Sequence, residues 1–213
     1  TRWWQQECDR FSKFEEQRNI YREMRGNFRP AFASVHSTIQ REEERALSEL
    51  VGTVRQTVQM QFATQTSSDL KRLYQDALSV MDPFAATLNA VARRISGCTY
   101  KSANIKKPTR AIEKICISPE TSSNGNASHL LDIVRGMLEF DSMQAMLQGF
   151  QALVDPEHVI VVRIKDRLTT PTDAGWADIL VNLRLRSDHI NRHICEVQLT
   201  HRRLQAVRVA GAH

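Results

Sequence analysis

Two carboxylates and a set of lysines are the side chains of this sequence whose types and spacing could do chemistry. Asp132 stands at the opening of Leu130-Leu-Asp-Ile-Val-Arg-Gly136, which reads as the start of a strand, and Glu196 lies inside Cys195-Glu-Val-Gln-Leu199, which reads as another. A carboxylate at a core strand is costly unless it is paired, hydrogen-bonded or metal-bound. Two of them on neighbouring strands would repel, and a hard cation such as Mg²⁺ would relieve that repulsion. Lys106, Lys107 and Lys114 come earlier in the chain, and Lys165 closes a third candidate strand. Carboxylates around Mg²⁺ beside ammonium groups form a layout for phosphoryl or nucleotidyl transfer, which needs positioning and charge neutralisation more than covalent help. The competing reading is a set of surface salt bridges with no ligand at all.

Other chemistries find less support. The chain has no Gly-x-x-x-x-Gly-Lys-Ser/Thr loop, no Gly-x-Gly-x-x-Gly, no Gly-x-Ser-x-Gly and no His-Glu-x-x-His. His189, His193, Cys195 and His201 look like metal ligands by type. His193 and Cys195 would share a strand face, however, while His201 is expected to begin the next helix, so solvated or hydrogen-bonded histidines are the preferred reading over zinc. The four cysteines, Cys8, Cys98, Cys116 and Cys195, are far apart and form no Cys-x-x-Cys pair, which fits reduced thiols of a cytoplasmic protein. No apolar run is long enough to span a bilayer, so no membrane partner is expected. The net charge of +5 favours anionic partners such as nucleotides or nucleic acid. That charge is spread over both halves of the chain without a basic tail, which argues against nonspecific backbone binding.

At 213 residues, 41% of them hydrophobic and 25% charged, the chain can build one sizeable core with a helical appendage. Trp4, Phe11, Phe14 and Tyr21 fall on one helical face before Gly26, Asn27 and Pro30 break the run. Val35, Ile39, Ala46, Leu50, Val54, Val58 and Phe62 form a second series, and the two long helices together read as an antiparallel hairpin. After a polar connector at Thr64–Asp69, shorter helices are expected over Asp69–Val80 and Pro83–Ile95, the second with Pro in its first turn and Gly97 just past its end.

The second half changes period. Asp178–Arg186 alternates as a strand with one wet face, His158–Lys165 reads as a central β-branched strand, and Ile133–Phe140 and His193–Leu199 complete four strands. Helices are expected at Thr109–Ile117, Ser142–Leu153 and Leu199–Val209, with Pro119–Ser128 as a loop. The fold class is α+β: a mixed β-sheet flanked by helices (residues 83–213), preceded by the helical region (residues 1–82).

Residues 83–213 resemble the synthetase domain of the RelA/SpoT alarmone enzymes. Asn104-Ile-Lys-Lys-Pro-Thr-Arg-Ala-Ile-Glu-Lys114 is similar to that family's basic segment, and Leu131-Asp-Ile-Val134 to its Asp-Ile strand. Lys165-Asp-Arg-Leu-Thr-Thr-Pro171 with Gly175-Trp176 resembles its Lys-Asp-Tyr-Ile…Gly-Tyr loop, and Glu196-Val-Gln198 its Glu-x-Gln strand. The resemblance implies transfer of pyrophosphate from ATP to the 3′-hydroxyl of a guanine nucleotide. It makes Asp132 the Mg²⁺ ligand and gives Glu196 to the metal or to activating the hydroxyl. Lys106 and Lys114 would hold ATP phosphates, Lys165 and Gln198 would line the substrate site, and Trp176, in place of a Tyr, would stack on the acceptor base. The competing reading of Trp176 is a loop aromatic that plugs the edge of the core.

The sequence also departs from the family pattern. Asn104 stands where the family has Arg, Arg110 where it has Ser, Met137 where it has Arg, and Leu180 where it has His. Losing a charge-stabilising Arg costs roughly 10³–10⁵-fold in phosphoryl transfer unless another group replaces it; Arg110 and Arg135 are the candidates. Altered acceptor choice (adenine nucleotide or tRNA), a rewired site and an inactive relative all stay open. Asp178 beside Trp176 is either part of altered acceptor recognition or a solvated residue at a strand start. The chain has no His-Asp dipeptide, the core of the family's hydrolase metal site, so hydrolysis by that route is not expected. The alternatives from other classes are a catalytically inactive nucleotide-sensing or protein-interaction module, with the N-terminal helices docking a protein partner, and an RNA-binding protein.

Overall fold

The computed structural model describes residues 28–57, 63–117, 126–187 and 192–210. The aromatic stripe Trp4–Tyr21, and with it the first arm of the expected hairpin, lies outside the described residues, as do Val58, Phe62, most of the Pro119–Ser128 loop and His189.

The second helical series is divided into α1 (Arg29–Glu42) and α2 (Glu44–Thr57). Glu43 breaks it with φ −125° and ψ 27°, and its side chain shows why. One carboxylate oxygen accepts the backbone N–H of Met143 at 2.5 Å, and the other stands 3.3 Å from His201 Nε2. The residue thus leaves the helix to serve two distant elements. Phe32 and Ile39 on α1, with Leu50 and Val54 on α2, are buried in the chain's own core rather than held out for a partner.

Two short helices were expected next, but residues 70–94 form a single helix, α3 (Leu70–Arg94), with Pro83 inside it. A boundary after residue 82 therefore falls within a helix. Leu73, Ala77, Val80, Phe84, Leu88 and Val91 keep one continuous three- and four-residue phase through the proline, and all are buried. Pro83 points outward to solvent. A proline in a helix interior costs about 3 kcal/mol, whereas each large apolar side chain buried contributes about 1.5–3 kcal/mol, so the stripe outweighs the break.

The remaining elements are β1 (Cys98–Ile105), α4 (Pro108–Ile117), β2 (Val134–Phe140), α5 (Met143–Leu153), β3 (Val159–Asp166), β4 (Ile179–Leu185), β5 (Cys195–His201) and α6 (Arg202–Ala210). The five strands make one mixed sheet in the order β1-β2-β5-β4-β3, in which β2 and β5 are parallel and the other pairs antiparallel. Strand β1 was not expected. Its sequence, Cys-Thr-Tyr-Lys-Ser-Ala-Asn-Ile, has no clean alternation, and its register slips between Lys101 and Asn104. An edge strand with a bulge can carry such a sequence, because only one side must pair.

Strand β3 corrects another expectation: it is an edge strand, not a central one. Strand β4 has no wet face, since every residue except Arg184 is buried. His201 ends β5 instead of opening α6, turning to Glu43.

Helices α3 and α5 lie against one face of the sheet. Gly136 on β2 permits the approach of α3: a Cβ there would stand 2.4 Å from Leu88 Cδ1 and 3.2 Å from Phe84 Cε1. Among the described residues no helix is long and apolar enough to cross a membrane.

Candidate active site

Alternate residues of a strand point to opposite faces, so the strand register sorts the sheet into an apolar and a polar side. Gly136, Val197, Val181 and Ile164 form one row across β2, β5, β4 and β3, on the side of α3. The neighbouring row on the other side is Arg135, Glu196, Asn182 and Arg163, followed by Met137, Gln198, Leu180 and Lys165. The second side carries the candidate site.

Asp132 lies in the turn just before β2 rather than in the strand. Lys106, at the end of β1, gives its backbone N–H to Ile133 O at 2.8 Å, and its carbonyl accepts the Tyr74 hydroxyl of α3 at 2.6 Å. Held this way, its Nζ reaches Asp132 Oδ2 at 2.5 Å. Lys114, one helical turn further along α4 than Arg110, places its Nζ 3.0 Å from Asp132 Oδ1. Both residues of the Lys106–Asp132 pair are buried, at 8% exposure each.

The electrostatics tie these groups into one field. Burial pushes the Asp132 carboxyl upward, but the Lys114 and Lys106 ammonium groups overcome it and leave the group below its ordinary value. Burial lowers the Lys106 ammonium despite Asp132, with Lys114 and Arg135 adding to the lowering. Glu196 is pushed up to about 7, first by burial and then by the Asp132 charge, against the opposing pull of Lys114, Arg167 and Lys106. Two carboxylates close enough to repel, one of them held near neutrality, suit a hard dication, for which one or two carboxylates suffice when phosphates and water supply the rest. Among the described residues there is no group of three His, Cys, Asp or Glu side chains placed for a metal.

A polar network that the sequence did not reveal braces the site. Arg163 Nε donates to Asn182 Oδ1 at 2.9 Å, and Asn182 Nδ2 donates to Leu131 O at 3.2 Å, tying β3 and β4 to the turn that carries Asp132. Gln65, in the polar connector, donates to Leu130 O and Ile194 O at 3.0 Å each and accepts the Ile194 N–H at 2.9 Å. It thereby binds the Asp132 turn to the start of β5. The local signal for Asn182 and Arg163 was present, a polar residue on a strand otherwise rich in Ile, Leu and Val, but their partners lie far off in sequence.

The loop after β3 is the other built feature. Asp166 accepts the N–H groups of Leu168 and Thr169 at 2.9 and 3.1 Å, and Gly175 turns the chain at φ +83°. Trp176 follows. Its ring packs edge-on against Phe32 with centroids 5.6 Å apart, the Arg208 guanidinium stands 5.2 Å from its centroid, and its Nε1 donates to Asp178 Oδ2 at 2.8 Å. Asp178 is not the solvated strand-start residue of one reading; it is fully buried and engaged by Arg167 and Trp176.

The structure thus brings Lys106, Lys114, Asp132 and Glu196 together, with Arg135 beside them and Gln198 two residues along the same face. Lys165 is exposed at the far edge of that face. Arg110 is turned away to Glu113 at 2.5 Å and is largely exposed. His193 and Cys195 are buried at the start of β5, away from the position His201 takes beside Glu43.

No protein-family model matches the chain, and no curated protein matches it. Solved structures do. Small alarmone synthetase 1 from Bacillus subtilis, bound to its product pppGpp, aligns with a TM-score of 0.55 at 12% identity, over 67% of this chain and 77% of that one. Small alarmone synthetase 2 from the same organism aligns with 0.52 at 13%, over 67% and 77%. A GTP pyrophosphokinase family protein from Streptococcus pneumoniae gives 0.55 at 13%, over 67% and 74%. At these identities the likeness shows the fold: this chain has a divergent form of the RelA/SpoT-like synthetase fold.

Proposed function

We propose that this chain transfers pyrophosphate from ATP to the 3′-hydroxyl of a nucleotide or tRNA acceptor. The observation that carries the reading is the meeting of Asp132, Glu196, Lys106 and Lys114 from four separate segments on the polar side of a sheet with the alarmone-synthetase fold.

Asp132 and Glu196 are the oxygen ligands available to Mg²⁺, which when bound neutralises charge on the triphosphate. Lys106 and Lys114 hold phosphate oxygens, with Arg135 adding positive charge from the next position on β2. The acceptor 3′-oxygen attacks the β-phosphorus of ATP, the bond from that phosphorus to the α–β bridging oxygen breaks, and AMP leaves. Glu196 takes the hydroxyl proton; an acid held near neutrality is matched to that task at physiological pH. Trp176 offers an indole to the acceptor base from a loop fixed by Asp178.

Incubation with ATP, Mg²⁺ and, in turn, GDP, GTP, ADP and tRNA tests this directly. The expected products are AMP and a pyrophosphorylated acceptor, both abolished by Glu196→Gln. If no acceptor yields AMP, the transfer reading is wrong.

A second reading, a nucleotide-sensing module without turnover, draws on one observation: both Asp132 oxygens are already engaged by lysines. It predicts ATP binding with no AMP formed and no effect of Asp132→Ala on affinity.

A further inference from the structure

We infer that Lys106 and Lys114 keep Asp132 closed to a divalent cation until a polyphosphate draws them away, so that the site takes metal and polyphosphate as a coupled pair. The inference rests on the reading of Asp132 and Glu196 as the cation-holding carboxylates.

A carboxylate has two oxygens, and here each has its own ammonium group: Oδ2 lies 2.5 Å from Lys106 Nζ, and Oδ1 lies 3.0 Å from Lys114 Nζ. The single Asp132 carboxylate thus faces two ammonium groups, and neither of its oxygens is open before any ligand arrives. A bare dication would have to expel an ammonium from the oxygen it takes, and the expelled charge would stay in a site with Arg135 nearby. Moving a buried charge off its partner without a replacement is costly.

A polyphosphate supplies the replacement. Several anionic oxygens on adjacent phosphates can receive both ammonium groups at once, whereas a single phosphate presents less charge over a shorter span. Lysine suits the exchange, being a compact charge on a flexible four-carbon stem. The Lys106 backbone is fixed at both its N–H and its carbonyl, so only the stem has to swing. Lys114, with its side chain 38% exposed, is the more accessible of the two. Coupling of this kind is reciprocal, so the cation tightens polyphosphate binding by the same factor.

Mn²⁺ binding to the full chain, followed by electron paramagnetic resonance of the free ion with no nucleotide present, tests the inference. Lys114→Gln and Lys106→Met should each bind Mn²⁺ at least tenfold more tightly than the unaltered protein, and adding Asp132→Asn should remove the gain. Inorganic triphosphate, titrated without divalent cation, should bind Lys114→Gln at least tenfold more weakly. The half-exposed Lys114 position keeps the test open should Lys106→Met fail to fold. Folded Lys114→Gln protein with unchanged Mn²⁺ affinity, or with unchanged triphosphate affinity, overturns the inference. A gain in Mn²⁺ affinity with no AMP from any acceptor leaves the lysine contest standing and removes the transfer reading; AMP production with flat Mn²⁺ affinity does the reverse.

Discussion

The Arg167 guanidinium makes two hydrogen bonds, of 2.5 and 2.8 Å, to the Asp178 carboxylate, which has no exposure to solvent. The pair closes the loop that carries Trp176, and the same carboxylate accepts the indole N–H. Removing one partner of a buried pair leaves an uncompensated charge and costs about 3–5 kcal/mol. Arg167→Met should therefore lower stability by that order in urea unfolding. Replacing both residues, as in Arg167→Met with Asp178→Leu, should recover much of the loss. Equal losses for the single and double variants would refute this account of the loop.

Glu196 makes stability depend on pH in the direction opposite to an ordinary salt-bridged acid. Its folded value, about 7, lies above its unfolded value, so the folded state holds the proton more tightly. The contribution is complete at pH below the unfolded value and is lost as pH rises through about 7. Glu196→Gln should remove this loss and leave the cation-free protein more stable than the unaltered one at pH 8 by roughly 1–3 kcal/mol, with little gain at pH 4. Asp132 acts the other way: its folded value is depressed, so its contribution is present at neutral pH and disappears in acid. Thermal melts at pH 4, 6 and 8 check the sign for Glu196, and melts continued below pH 4, where the depressed acid takes up its proton, check the sign for Asp132.

Two cations of α4 separate site from surface. Lys114 touches Asp132, whereas Arg110 is paired with Glu113 toward solvent. Under the proposed transfer reaction, Lys114→Gln should reduce kcat/KM for ATP by roughly 100-fold, and Arg110→Gln should change it little, because an exposed pair contributes only about 0–1 kcal/mol. Steady-state kinetics on the two variants decide it, and equal losses would mean that Arg110 reaches the substrate.

Glu43 links the break between α1 and α2 to α5 and the end of β5 through the Met143 N–H and His201. Its carboxylate supplies an acceptor for an amide in the first turn of α5. Glu43→Ala should cost about 1–2 kcal/mol and speed amide exchange at the start of α5 before it affects β5. Hydrogen exchange followed by mass spectrometry reads this out, and uniform protection across α5 would contradict it.

Much of the second half was legible from local pattern. Helices α4, α5 and α6 and strands β2 to β5 begin and end within a few residues of their expected positions, because their apolar period, caps and turns are written in adjacent residues; Ser142, for instance, caps α5 by accepting the Ala145 N–H at 3.1 Å. Strand β1 is not written in local pattern, because an edge strand with a register slip needs neither alternation nor strong apolar character. The unbroken α3 and the break at Glu43 are not written locally either, for a related reason. Proline's cost and glutamate's helix preference are local, but the core stripe that overrides the first and the distant partners that override the second are not.

The amino-acid order alone determined the alternation that gives the sheet a polar and an apolar side, and it marked Asp132 and Glu196 as acids standing where apolar residues would be easier to bury. Only the tertiary structure decided what those acids touch. The Lys106–Asp132 contact closes 26 residues, Asn182 to Leu131 closes 51, and Gln65 to Ile194 closes 129. Such contacts are set by strand order and loop path, since side-chain hydrogen bonds and ion pairs form between whichever groups the folded backbone brings within about 3 Å. Trp176 and Arg110 differ in that their partners are near neighbours, Asp178 two residues on and Glu113 three residues on, and the fold decided only that these local partners prevail over the cluster.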